Sequence, residues 1–130
     1  MEDIMNIERL HSSSTMSQVV IHGDTIYLAG QISNGLTIKE QTAAVLAKID
    51  KLLEEAKTDK NHIIMASIWL KNIDDFDAMN REWDKWLVNY DKPARACVQA
   101  ELAYEHLLVE IAIIVARKDW TGDDATVLCL

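Results

Sequence analysis

The strongest constraint on the fold is a pair of short, almost uncharged runs. Residues 107–116 carry Leu107, Leu108, Val109, Ile111, Ile113, Ile114 and Val115 around a single charge, Glu110. Residues 62–71 carry Ile63, Ile64, Met65, Ala66, Ile68, Trp69 and Leu70 at similar density. Both runs fall well short of the roughly 20 apolar residues of a membrane-spanning helix. Their β-branched content favours strands, and strands apolar on both faces belong in a sheet that something covers.

The cover is legible before and between the two runs. Thr37 and Glu40 stand in the T-x-x-E relation of a capping box. Behind them Ile38, Val45, Ile49, Leu52 and Ala56 recur at helical spacing, while Lys39, Lys48, Lys51, Glu54 and Glu55 populate the other side. The spacing predicts an amphipathic helix over 37–57. Asp74 or Asp75 can cap a second helix whose apolar face is Phe76, Met79, Trp83, Trp86 and Leu87. That helix is expected to end near Asn89 and Tyr90, because Pro93 disfavours helix before itself. Residues 6–10, 17–22 and 25–31 read as strands, the last two joined as a hairpin by a Gly23-Asp24 turn. Residues 94–100 read as a further strand. The order of three strands, helix, strand, helix and two strands predicts an α+β fold: one mixed β-sheet with two helices packed on one face. Residues 1–117 form a single domain in this reading, and 118–130 an acidic C-terminal tail. Met65, Trp69, Ile113 and Val115 make the sheet apolar on both faces, so a monomer would expose an apolar patch and a homo-oligomer is expected.

Composition narrows the function. With 49% hydrophobic and 26% charged residues, the body of the chain has ordinary globular character. Lys plus Arg number 13 against 21 Asp plus Glu, a formal charge of −8, and no Lys/Arg run appears. This argues against a general nucleic-acid binder, whose affinity rests on clustered cations. Cys97 and Cys129 have neither C-x-x-C spacing nor a nearby His pair, so neither a disulfide framework nor a zinc site is expected. His11, His22, His62 and His106 lack ligand spacing, and G-x-G-x-x-G and P-loop patterns are absent. Residues 1–5 show no basic-then-apolar leader. A reduced, cytoplasmic protein with no metal, no cofactor, no membrane and no nucleic-acid partner is the expectation.

Arg95 and Glu110 are the informative pair, since each is a charge inside an apolar strand. Such charges are paired or engage a ligand. If 94–100 and 107–116 form an antiparallel hairpin with residue numbers summing to 205, Arg95 lies opposite Glu110; a slip of one residue would move Glu110 to the other face. Two readings stay open: a structural ion pair, or an anion site in which a guanidinium fork grips a carboxylate while Glu110 handles a water or proton. Asn80, four residues after Phe76 and three before Trp83, falls on the apolar face of the second helix and needs hydrogen-bond partners there. Cys97 reads more naturally as a small buried group than as a nucleophile. Trp69, Trp83 and Trp86 read as core or interface mass.

Several segments together resemble a known family. These are Ser17-Gln18-Val19-Val20, Tyr27-Leu28-Ala29-Gly30-Gln31-Ile32, Asp75-Phe76-Asp77-Ala78-Met79-Asn80, Pro93-Ala94-Arg95-Ala96-Cys97-Val98 and Val109-Glu110-Ile111. In order and approximate spacing they are similar to the Rid family, also called YjgF or endoribonuclease L-PSP, from about residue 10 to 117. The resemblance implies a chorismate-mutase-like fold and a homotrimer with sites in clefts between subunits. Family members of the reactive-intermediate type hydrolyse 2-imino acids and their enamine tautomers to 2-keto acids and ammonia, without metal or organic cofactor. On that resemblance Arg95 matches the arginine that grips the substrate carboxylate, and Glu110 the glutamate that positions the attacking water. Cys97 lends backbone to the pocket, and Asn80 lies near the cleft. Two positions depart from the pattern. Met16 stands where a tyrosine is found in the deaminases, and Ala29 replaces the serine before Gly30, so two hydroxyl groups are missing and the pocket is more apolar there.

Three functions follow as expectations. The first is an imine/enamine deaminase acting on small 2-imino acids. The second is a non-catalytic binder of small carboxylate metabolites through the same Arg95. The third is an RNase or translation inhibitor, as the older family name implies, against which the net charge and the absence of a His pair weigh.

Overall fold

The computed structural model describes residues 6–118. In chain order the elements are β1 (Ile7–Ser12), β2 (Ser17–His22), β3 (Thr25–Gln31), α1 (Ile38–Glu55), β4 (Ile63–Leu70), α2 (Phe76–Trp86), β5 (Ala94–Gln99) and β6 (Val109–Ala116), with short 3-10 turns at Lys60–His62 and Ile73–Asp75. The expected element order is the observed one. The expected tail from 118 onward lies outside the described residues apart from Lys118.

A side chain takes an orphan amide at the start of the first helix and at the start of the turn that precedes the second. Thr37 Oγ1 accepts from the Glu40 amide at 3.1 Å, which starts α1. Before α2, Asn72 Oδ1 accepts from the Asp74 amide at 2.9 Å and starts the turn that leads into the helix, while Asp75 makes no side-chain cap. The second helix ends at Trp86, earlier than the expected 89–90. Pro93 is not what stops it. Lys60 Nζ takes the Trp86 carbonyl at 3.0 Å, and Lys92 Nζ takes those of Leu87 and Tyr90, both at 2.6 Å. Cations at these carbonyls satisfy groups the helix would otherwise bond itself.

The six strands form one sheet in the order β1-β2-β3-β6-β4-β5. Every neighbouring pair is antiparallel except β4 and β5. The exception follows from connection. A strand–helix–strand crossover returns the chain in the same direction, so β5 after α2 must run parallel to β4. Strands β3 and β4, joined through α1, both pair antiparallel with β6 and are therefore parallel to each other. Two crossovers of the same hand, stepping the same way across the sheet, put both helices on one face. That face holds the core: Val19, Ile26 and Leu28 from the hairpin, Val45, Ile49 and Leu53 from α1, Met79 and Trp83 from α2, and Ile68, Ile111 and Ile113 from the central strands. Tyr27, Met65, Trp69, Val98, Ala112 and Ile114 alternate onto the other face, which no described helix covers. No described helix is long and apolar enough to cross a membrane.

The expected hairpin of 94–100 with 107–116 does not exist. Strand β4 lies between β5 and β6. The connecting segment straddles the end of β4, with the Ala100 amide donating to Leu70 O at 2.9 Å on one side and the Lys71 amide donating to Leu108 O at 3.0 Å on the other. Arg95 consequently sits beside Ala66, and Glu110 beside Trp69, not beside each other.

Candidate active site

Arg95 is positioned from two elements. Its strand partner Ala66 is fully buried against the helices, so β5 aims Arg95, Cys97 and Gln99 toward the helical layer. There Arg95 Nη1 donates to Asn80 Oδ1 at 2.6 Å. The guanidinium carbon lies 5.6 Å from the Phe76 ring centre and 5.5 Å from that of Trp83. Phe76, Asn80 and Trp83 follow i, i+4, i+7 spacing on α2, so one helix face supplies an oxygen and two ring faces to one cation. The Asn80 position on that face is as the spacing predicts. What sequence reasoning missed is that Phe76 and Trp83 hold a cation as well as filling space; their shared face with Asn80 was the available signal. No carboxylate among the described residues pairs with Arg95. A half-buried guanidinium with one amide and two aromatic neighbours, and no anion among the described residues, is arranged to receive one.

Cys97 lies two residues along on the same face. Burial pushes its thiol above the ordinary value, and the nearby Arg95 charge only partly opposes this. A raised thiol stays protonated at neutral pH and is a poor nucleophile. Alkylation of Cys97 by iodoacetamide, followed by peptide mapping to separate it from Cys129, is therefore expected to be slow at neutral pH and to accelerate without an inflection up to pH 9.0. A plateau near neutrality would show a thiolate and reverse this assignment.

Glu110 belongs to the other face. In β6 the residues Val109, Ile111, Ile113 and Val115 are buried toward the helices, and Glu110, Ala112 and Ile114 alternate away from them. The register of β3 against β6 shifts between Leu28 and Gln31, so Ala29 and Gly30 together oppose the single Ala112. This bulge brings Gly30 under Glu110. A Cβ on Gly30 would lie 2.0 Å from Glu110 Oε2 and 2.9 Å from its Cδ. Glycine is required here by the carboxylate above it. Gly30→Ala is expected to leave the fold within about 1 kcal/mol of wild type, because the obstructing atoms end a flexible side chain. It is expected to swing Glu110 aside and lower any Glu110-dependent rate at least tenfold. Unchanged kinetics in a folded Gly30→Ala protein would show that the carboxylate position does not matter. Gln31 Nε2 pins this bulge by donating to Ala29 O at 2.9 Å and Gln18 Oε1 at 2.8 Å. Met16, at the end of the β1–β2 connection, exposes 44% of its surface.

The site residues therefore form two groups. Arg95, Asn80 and Cys97 lie on the helical side of the edge strand; Glu110, Gly30 and Ala29 lie on the open side nearer the centre. Two inter-strand steps of about 4.8 Å and three residues of about 3.3 Å rise put the Arg95 and Glu110 Cα atoms about 14 Å apart, on opposite faces. One chain does not bring them together. A cleft of about 480 Å³ lined by Asp50, Leu53, Lys57, Thr58, Lys60 and Tyr90 contains none of them. Among the described residues, no three His, Cys, Asp or Glu side chains converge to hold a metal.

A mixed sheet with two crossover helices on one face, an arginine at its edge and a glutamate over a glycine bulge, neither with an ion-pair partner among the described residues, define a specific class of α+β protein. The sequence profile described as Endoribonuclease L-PSP matches residues 6–117, and the chain belongs to that family, also called RutC, YjgF or Rid. It is 42% identical over 114 residues to a RutC family protein of Haemophilus influenzae, covering 85% of this chain and 97% of that one. It is 42% identical over 113 residues to the RutC family protein YoaB of Escherichia coli, covering 86% and 99%. Among solved structures, a member of the YjgF protein family from Neisseria meningitidis superposes with a TM-score of 0.87 at 40% identity, covering 90% of this chain and 99% of that one.

Proposed function

We propose that this protein is an imine/enamine deaminase that hydrolyses small 2-imino acids to 2-keto acids and ammonia, at clefts between the subunits of a cytoplasmic homotrimer. The observation that carries this reading is Arg95: a half-buried cation held by Asn80, Phe76 and Trp83, with no anion of its own among the described residues. A substrate carboxylate supplies the missing charge through a bidentate pair.

The chemistry asks little more than placement. A protonated 2-imino acid is already electrophilic at its imine carbon. Arg95 fixes the carboxylate, and with it the plane of the C=N bond. Glu110 from a neighbouring copy, held over Gly30, accepts a hydrogen bond from water and takes its proton as the oxygen bonds to the carbon. The tetrahedral amino alcohol then receives that proton on nitrogen. Its hydroxyl proton passes to the freed Glu110 carboxylate as C=O forms and the C–N bond breaks, and the departing ammonia takes that proton away as ammonium. Water enters and ammonia departs, so no oxidant, metal or organic cofactor is needed. The protonated Cys97 stays outside the covalent steps.

Contact between copies through the face bearing Tyr27, Trp69, Val98 and Ile114 would bury apolar surface that the helices leave open, and would let Glu110 of one copy approach Arg95 of the next. The carboxylate-binding reading shares Arg95, and the methyl-bearing Met16 and Ala29 favour it to the extent that their missing hydroxyls are needed for turnover. A coupled assay separates the two. An amino-acid oxidase generates a range of 2-imino acids in the presence of semicarbazide, and loss of the semicarbazone signal reports hydrolysis. Faster imine loss with the protein supports the deaminase. Stabilisation by 2-keto acids without acceleration for any side chain would replace it with a binding protein. Cleavage of RNA that an Arg95→Ala preparation retains would mark a contaminant.

A further inference from the structure

Helix α1 carries one polar side chain where its apolar stripe should be continuous. Gln41 lies between Ile38 and Val45 on the buried face and is 0% exposed. Three of the four hydrogen-bonding positions of its side-chain amide are used, both donors among them. Its Nε2 donates to Gly35 O at 3.0 Å and to His106 O at 2.9 Å. Its Oε1 accepts from the Leu108 amide at 2.7 Å. These partners lie on two different connections: 32–37, which leaves Gly30 and β3, and 100–108, which enters β6 and Glu110. The clasp is reinforced at its rim, where the His106 ring nitrogen meets Asn34 Oδ1 at 3.0 Å and Lys48 Nζ takes Ile32 O at 2.6 Å.

We infer that Gln41 is a positioning residue for Glu110. It rests on the hydrolytic reading above but names a residue that reading does not use. Leu108 precedes Glu110 by two residues and points to the same side, so a shift at the Leu108 amide is carried directly to the Glu110 backbone. Gly35 follows Gly30 by five residues along a strap tied at Ile32. One buried amide thus sets both edges of the Gly30–Glu110 contact from the far side of the sheet. A buried amide leaves no slack, because any displaced partner loses a hydrogen bond that water cannot replace. Arg95 and Asn80 share none of these bonds.

Gln41→Met keeps the volume and removes the three bonds. Gly35→Ala presses on the clasp from outside, since its Cβ would meet Gln41 Cγ at 3.0 Å and the Gln41 backbone nitrogen at 3.0 Å. For imine hydrolysis, both variants are expected to lower kcat between about tenfold and a hundredfold, with KM and the Kd of 2-oxobutanoate within about twofold of wild type. The Glu110 carboxyl carbon resonance in 13C-labelled protein is expected to move. A resonance that stays in place, or a Kd that rises with the kcat loss, would overturn the inference and leave Gln41 a structural residue. Should wild type hydrolyse no imine, the deaminase reading fails alone, and the Glu110 resonance still decides the positioning. Should neither variant fold, hydrogen exchange in wild type decides: a Leu108 amide exchanging as fast as exposed loop amides would overturn the inference, and strong protection would support it.

Discussion

Arg95→Ala is expected to abolish both recognition and turnover of 2-imino acids while leaving the fold intact. Removing the guanidinium from a charge-assisted carboxylate pair costs about 2–4 kcal/mol, so kcat/KM should fall about 30- to 10³-fold, and 2-keto acid binding should weaken alongside it. Stability should change by less than about 1 kcal/mol, because the native arginine has no carboxylate partner among the described residues to lose. It stands half-buried, 5.6 Å from the Phe76 ring centre and 5.5 Å from that of Trp83. Arg95→Lys is expected to recover only part of the loss. An ammonium keeps the charge but not the planar fork that bonds a carboxylate, Asn80 and two ring faces together. A variant that keeps full activity would remove the carboxylate site. One that unfolds would make Arg95 a structural residue instead.

A second large effect follows from the opposite facing of Arg95 and Glu110. Glu110→Gln alone should lower turnover about 10²-fold or more, as expected for loss of a general base. When the Arg95→Ala and Glu110→Gln chains are co-expressed with separable tags, activity should return. If each site takes Arg95 from one copy and Glu110 from the next around a closed ring, random mixing leaves about a quarter of the sites with both groups intact. Activity near a quarter of wild type, from two chains that are each inactive, would demonstrate the shared site. No recovery in mixed oligomers would place both groups in one functional chain, against their separation across the sheet.

Much of the architecture was readable in advance. The spacing of Ile38, Val45, Ile49 and Leu52 locates α1, and Thr37 marks its start. The alternating and continuous apolar runs locate β2 to β6. These are local signals, because 3.6- and 2-residue periods depend only on near neighbours. The charges in apolar strands, Arg95 and Glu110, were likewise visible as exceptions. Their relationship was not. A hairpin was the local solution for two successive strands, yet the parallel crossover through α2 and the placement of β4 between β5 and β6 separate them. Gln41 was hidden for a related reason. Its partners at Gly35, His106 and Leu108 are up to 67 residues away, and in the sequence it is only a polar gap in an apolar stripe.

By itself the sequence determined which segments are helices and strands, which residues face a core, and which charges lack an obvious reason to be buried. Each of these rests on side-chain pattern within a few turns or a few residues. Only the tertiary structure decided which faces those charges occupy, that Phe76, Asn80 and Trp83 converge on Arg95, and that Gly30 makes room for Glu110. Those outcomes depend on strand order and register, which are set by burial and hydrogen bonding summed over the whole sheet. A one-residue slip there reverses a side chain while leaving every local pattern unchanged.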